Sequence, residues 1–386
     1  MDIFLMSRDT EILKFNFDEG IYEVLNEKML PYQLKGRLNR VPDFSEIKTR
    51  YDDIQRTIII NKNYNAVIEF LSGRVLPLSR ENAKKIYQLF NFEQLQDDVS
   101  KSKIALVCKA VSLLDNYWIK NIGDTLSWAQ VNLRSNSLSD IVAQVSLHGS
   151  SLSLQGKVHT PELNGQGAYA KAWFREDDEL YLHKLGNNGS SWESKVEVMV
   201  SNILDKCNVN HLKYEEGFSN DKMTCKCKCM TNDNLSILSG MEFISYCNAN
   251  GLDSDKEIMR IDPDSIYKMW IVDYLICNGD RHGMNWGFYY DSNSMDILGC
   301  HPLYDHNNAF DIELMKNEDA KYLFDSRMTM REAAHLAMKN TDFYFTDDII
   351  RDDFLTERQY ESFMKRANEL KIPTYSLDKK PYNKCR

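Results

Sequence analysis

The sequence predicts an α+β protein with two lobes, preceded by a mixed α/β N-terminal module. Three observations carry this reading. Residues 146–235 hold short alternating strand patterns among Gly and Ser, residues 236–386 step largely at helical spacing, and residues 1–145 combine a hairpin with helical patterns. At 386 residues the chain is long enough for two or three core-bearing units.

Composition bounds the function classes. Hydrophobic residues make up 43% and charged residues 27%, ordinary for a soluble globular protein. The formal charge of −10 argues against direct nucleic-acid binding, which needs clustered cations. Local lysines remain at Lys222, Lys226, Lys228 and Lys379-Lys380. The nine cysteines are odd in number and show no pairing pattern, so free thiols in a reducing cytosol are expected. Cys225, Cys227 and Cys229 alternate along a strand and lack the usual zinc spacing. Met1 to Met6 is too short for a signal peptide, and no apolar run reaches about 18 residues. The expectation is a cytoplasmic protein without a membrane span.

In the first module, Asp2 to Phe15 reads as a hairpin around Ser7-Arg8-Asp9-Thr10. From Glu46 to Phe92 the pattern is helical, with Ile47, Tyr51, Ile54 and Ile58 on one apolar face. Ser79 stands as the N-cap of a second helix through Ile86, Leu89 and Phe90. The apolar segment Ile104 to Leu114 leads into Tyr117-Trp118, an aromatic pair that reads as a core anchor. Nothing in residues 1–145 carries catalytic chemistry, so the module is expected to recognise a partner or to brace the rest.

The middle region, residues 146–235, contains Gly165-Gln166-Gly167 followed by Lys171. A glycine pair lets backbone N–H groups approach a triphosphate, which makes Gly165, Gln166, Gly167 and Lys171 candidate phosphate-binding residues. The strand Glu179 to Gly186 places Leu180, Leu182 and Lys184 on one face. A lysine there is costly unless it meets an anion or a carboxylate. A nucleotide phosphate supplies the first, and the following helix offers Glu193 and Glu197 for the second. That helix, capped by Ser190 or Ser191, carries Trp192, Val196, Met199 and Ile203 at helical spacing. Met223 to Met230 and Leu235 to Leu238 read as a strand pair leading to a hinge, where backbone near Met230 is available to bond adenine.

In the last region, residues 236–386, Asp262-Pro263 signals a helix start. Ile266, Met269, Trp270, Asp273 and Ile276 share a face, and the helix delivers Cys277 into Asn278-Gly279-Asp280-Arg281-His282-Gly283-Met284-Asn285. Twenty residues past Asn285 comes Asp305, within Leu303-Tyr304-Asp305-His306-Asn307-Asn308. Phosphoryl transfer uses an Asp to orient and deprotonate a hydroxyl, with an Asn and a second Asp for Mg²⁺. Asp280 is therefore the expected base, Asn285 and Asp305 the expected metal ligands, and ATP and Mg²⁺ the expected cofactors. Arg281 is a candidate cation for a phosphate, and His282 an expected strut. Asp273 is expected to orient the loop or cap a solvated edge, and Asn307 or Asn308 to add a ligand or a turn, the turn being favoured. Trp286 to Tyr290 and Met295 to Leu298 form a hairpin pattern. Thr329 to Met338, Asp347 to Phe354 and Thr356 to Leu370 read as helices.

Asn278-x-Asp280-x-His282-x-x-Asn285 followed by Leu303-Tyr304-Asp305 resembles the catalytic and metal loops of HipA-type serine/threonine kinases. These are atypical bilobal kinases, best known from bacterial toxin–antitoxin systems, and the match spans roughly residues 150–310. The loop is also similar to that of phosphatidylinositol kinases, which place Asp-Phe-Gly where this chain has Asp305-His306-Asn307. The resemblance implies a bilobal kinase fold, an ATP- and Mg²⁺-dependent activity on Ser or Thr of a protein substrate, and an antitoxin-like partner. It implies Lys184 on the phosphates with Glu197 as its carboxylate partner. Where HipA-type kinases often carry an autophosphorylated Ser in the phosphate loop, this chain has Asn164, so that switch is not carried over. A lipid or small-molecule kinase with the same chemistry and a nucleotide-binding pseudokinase are the alternatives.

Overall fold

The hairpin expected at the N-terminus is formed by β1 (Asp2–Ser7) and β2 (Thr10–Asn16), antiparallel, with Ser7 opposite Thr10. The computed structural model describes residues 2–92, 97–154, 160–164, 167–317 and 319–375. β3 (Tyr22–Val24) extends the hairpin, and three helices follow: α1 (Arg50–Ser72), α2 (Ala83–Leu89) and α3 (Asp98–Val107). β4 (Tyr117–Asn121) then returns to pair with β1, giving the order β3-β2-β1-β4. Trp118 on β4 is fully buried and its indole N–H donates to the Arg8 carbonyl at 2.6 Å, so the aromatic pair is a core anchor.

Two expectations for these helices fail. Tyr51, Ile54 and Ile58 are exposed, because only the second half of α1 enters the core. There Ala66, Val67, Phe70 and Leu71 join Ile104 and Ala105 of α3. α2 begins at Ala83 with Asn82 at its N-cap, since the Arg80 N–H bonds the Pro77 carbonyl and holds Ser79 in a preceding turn. The short α4 (Trp128–Val131) and α5 (Asp140–His148) complete the N-terminal part.

A second antiparallel sheet contains β5 (Lys171–Glu176), β6 (Glu179–Lys184), β7 (Tyr214–Ser219) and β8 (Lys222–Lys228), in the order β5-β6-β8-β7. Its register sets Lys184 opposite Lys171 on one side and Cys225 on the other. α6 (Trp192–Asp205) crosses from β6 to β7 and buries Val196, Met199 and Ile203, while Trp192 stays exposed. Cys225 and Cys227 are buried beside Tyr214 and Val198. Cys225 and Cys227 lie on strand β8, where the sequence places a strand.

β9 (Leu235–Ser239) does not pair with β8, against expectation. Both edges of β8 are already taken by β6 and β7, so β9 joins β10 (Gly287–Asp291) and β11 (Ile297–Cys300) in a separate sheet. Around this sheet lie α7 (Gly240–Ala249), α8 (Ser254–Ile261), α9 (Pro263–Leu275), the short α10 (Ile312–Lys316), α11 (Met330–Ala337) and α12 (Glu357–Leu370). Side chains of Asp262, Thr329 and Thr356 cap α9, α11 and α12, as the sequence pattern predicts. The helix expected over Asp347 to Phe354 reduces to a 3₁₀ turn at Arg351–Asp353. Just before it the chain is held extended, as β12 (Phe345–Thr346) pairs with β13 (Thr374–Tyr375) and the Thr346 N–H bonds the Lys206 carbonyl. Among the described residues no helix is long and apolar enough to cross a membrane.

Candidate active site

The site is assembled from the C-terminal end of α9. The apolar face of that helix is buried, and with it Asp273, which is fully enclosed. A buried carboxylate must be paired and hydrogen-bonded. Asp273 accepts from Asn278 Nδ2 at 3.0 Å, from Arg281 Nη2 at 2.8 Å and from the Tyr322 hydroxyl at 2.6 Å. Asp273 thus orients the loop rather than capping a solvated edge. Arg281 is itself fully buried, and Asp273 holds its pKa above the usual arginine value against the opposing effect of burial. Its remaining Nη1 donates to the carbonyls of Asn285 at 2.6 Å and Tyr304 at 3.0 Å. The expectation that Arg281 faces a phosphate is therefore corrected. Its guanidinium is spent inside the protein, where it fastens the 278–285 loop to the segment bearing Asp305.

Within that loop Asp280 is partly exposed, and its carboxylate accepts from Asn308 Nδ2 at 2.9 Å. The Asp280 carbonyl accepts from Asn285 Nδ2 at 2.9 Å, which turns the amide oxygen of Asn285 the other way. His282 Nδ1 accepts from the Met284 N–H at 3.1 Å, a strut within the loop, and its Nε2 lies 3.9 Å from Asp280 Oδ1. The Asn308 contact escaped the sequence reading, which favoured a turn at Asn307 or Asn308. Only the return of this segment across the loop gives it meaning.

Lys184 reaches the same place from β6. Its Nζ lies 2.9 Å from Asp305 Oδ1, 3.0 Å from the Tyr214 hydroxyl and 3.8 Å from Glu197 Oε2. Burial opposes the lysine charge, but Asp305, Tyr214 and Glu197 together hold its pKa well above the ordinary value. Glu197, fully buried on α6, is pushed up to about 7, mainly by burial. Its Oε1 accepts from the His306 N–H at 2.8 Å, so this carboxylate fixes Lys184 and the Asp305 segment together. Glu193 instead lies against Gly186. Asp305 has a left-handed backbone at φ 61°, sparsely populated for a residue with a side chain. Burial alone favours its neutral form, yet Lys184 and Lys171 hold its carboxyl well below the usual range.

On β5, Lys171 is largely buried, and its pKa is lowered to about 7 by burial, then by Lys184 and Arg80. Gly167 arches over it at φ 89°, and a Cβ there would sit 2.5 Å from Lys171 Nζ. The positive φ is what favours glycine here, since the lysine tip is flexible and can shift. Gly165 and Gln166 lie outside the described residues. At the expected hinge the Met230 carbonyl already accepts from the Tyr289 hydroxyl at 2.8 Å. The sequence-predicted residues thus fall into two groups. Lys184, Glu197 and Asp305 share one hydrogen-bonded cluster, with Lys171 beside it, while Asp280 and Asn285 share the loop that Arg281 ties to the Asp305 segment.

No protein-family model and no curated protein matches this sequence. Among solved structures, the chain is similar to HipA of Shewanella oneidensis in a complex of HipA, HipB and its operator DNA. That likeness has a TM-score of 0.52 and 11% identity, and covers 97% of this chain and 92% of the other. A match to the Helicobacter pylori proinflammatory kinase CtkA has a TM-score of 0.34 and 16% identity, and covers 52% of this chain and 90% of that one. The first likeness concerns architecture, over nearly the full length of both chains: this protein has a HipA-like α+β fold.

Proposed function

We propose that the chain is an ATP- and Mg²⁺-dependent phosphotransferase, acting as a HipA-like kinase on Ser or Thr hydroxyls of a protein. The observation that carries the reading is the convergence at Arg281. Its guanidinium holds the carbonyls of Asn285 and Tyr304, and so brings the loop of Asp280 to the segment whose Asp305 meets Lys184 and Glu197. A base, an amide oxygen, a carboxylate and a paired lysine are then carried on segments bonded to one another, the set phosphoryl transfer uses.

The donor set fits the expected groups. Asn285 has its amide nitrogen engaged and its oxygen available, and Asp305 is held ionised, which gives two hard oxygen ligands suited to Mg²⁺. ATP with Mg²⁺, when bound, supplies the transferable phosphoryl group. Lys184 holds the phosphates while Glu197 holds Lys184, and Lys171 under Gly167 adds a second cation. Asp280 accepts the hydroxyl proton and aims the oxygen, where orientation matters more than basicity because the transition state is loose. A protein partner of antitoxin type fits the same reading, with HipA bound to HipB in the similar structure. The net charge of −10 argues that any DNA association runs through that partner.

The test separates binding from transfer. Asp305→Ala should abolish the Mg²⁺-dependent part of ATP binding measured by calorimetry. Asp280→Ala should bind ATP as wild type does while losing transfer. Unchanged Mg²⁺ dependence in the first variant removes Asp305 from the metal role, and retained turnover in the second removes Asp280 from the base role.

A further inference from the structure

A chain of two hydrogen bonds ends on the proposed base. Tyr169, at the C-terminal foot of the candidate phosphate loop, donates its hydroxyl to Asn308 Oδ1 at 3.0 Å. Asn308 uses its amide nitrogen to donate to Asp280 Oδ2 at 2.9 Å. The Asp280 carboxylate only accepts, so the amide nitrogen of Asn308 must face it, and a flip would lose that bond. Asn308 stands on the segment that also carries Asp305, three residues on, and Ala309 N–H bonds the His306 carbonyl in the intervening turn. Tyr169 is only partly buried, and beyond it the chain enters β5 at Lys171. The three residues therefore join the phosphate loop, the metal-side segment and the base in one line.

We propose that Asn308 is a positioning residue that aims the Asp280 carboxylate at the acceptor hydroxyl, and that Tyr169 holds Asn308 in that orientation. The proposal rests on the kinase reading above. Neither residue is required to contact the nucleotide, so their loss acts on turnover rather than on ATP affinity.

The test uses the full chain with γ-labelled ATP and Mg²⁺, reading initial rate of transfer (to the protein itself or to casein as acceptor) beside ATP binding by calorimetry. Asn308→Ala and the near-isosteric Asn308→Asp, which lacks the donor, should each lower kcat on the order of 10- to 100-fold with the Kd for ATP unchanged. Tyr169→Phe removes one oxygen and should give a smaller loss. In the Asn308→Ala background it should give no further loss, since coupled residues are not additive. Full turnover in Asn308→Asp, a parallel loss of ATP binding, or additive effects of the two changes would overturn the proposal. A wild-type protein that neither binds ATP nor transfers label would instead overturn the kinase reading, a distinct outcome.

Discussion

Lys171 is the residue whose chemistry is easiest to misjudge. In sequence it is a surface-type side chain after a Gly-rich turn. In the fold it lies opposite Lys184, with its pKa lowered from 10.5 to about 7. The folded state therefore binds this proton less tightly than the unfolded chain does. The residue opposes folding most below pH about 7, and that cost fades as pH rises toward 10.5. Nucleotide phosphates favour the charged form, so ATP binding should take up a proton above pH about 7, and the Kd for ATP should rise with pH there. Calorimetry in buffers of different ionisation enthalpy measures the uptake. Lys171→Met should bind more weakly with a flat profile, and a wild-type affinity independent of pH between 7 and 9 would contradict this account. The pairing of Lys184 with a carboxylate was legible, because a lysine on the apolar face of a strand needs one. Arg281 and Asn308 were not. Their roles depend on which carbonyl or carboxylate stands opposite, and that is decided by a segment twenty or more residues away.

Among the elements, α9 and its loop carry most of the site. The helix is buried on the face that holds Asp273, and the Asp273–Arg281 pair at 2.8 Å is sealed from solvent. Removing one member of such a pair leaves the other charged and unpartnered. Asp273→Ala is expected to cost about 3–5 kcal/mol of stability. Because Arg281 holds two backbone segments, the same change should also weaken Mg²⁺-dependent ATP binding. Denaturant unfolding of the variant reads the first effect, and an unchanged midpoint would contradict it. Capped helices such as α9, α11 and α12 were legible from local pattern, as was the hairpin of β1 and β2. The misreadings at Asp347 to Phe354 and at β9 share a physical cause. In both, a distant strand or backbone partner set the conformation, Lys206 and Thr374 for the first and β10 for the second. The outward face of α1 is a related case, since periodicity reports an apolar stripe but not whether anything covers it.

Across the whole molecule, the N-terminal part bonds to residues beside both later sheets. It reaches the candidate phosphate loop through Leu76 N–H to the Leu163 carbonyl at 2.7 Å and Glu81 N–H to the Ala168 carbonyl at 2.8 Å. The buried Arg80 adds a bond to Ser146 Oγ at 2.8 Å and another to the Lys171 carbonyl. At the expected hinge, the Leu113 carbonyl accepts from Thr231 Oγ1, and Asn116 Nδ2 donates to the Asp233 carbonyl at 2.7 Å. On the far side, Gln33 bonds Glu242 at 2.8 Å and the Tyr32 hydroxyl bonds the Met295 carbonyl. The module therefore packs against both sheets, through contacts that no residue pattern there announced. The central claim is that the candidate site transfers a phosphoryl group. Its most direct test is incubation of the purified full chain with γ-labelled ATP and Mg²⁺, wild type beside Asp280→Ala, read by label transfer and intact mass. The account predicts label on protein with the wild type alone. Label that persists with Asp280→Ala, or a wild type that binds ATP and Mg²⁺ yet labels neither itself nor an added protein, would contradict it.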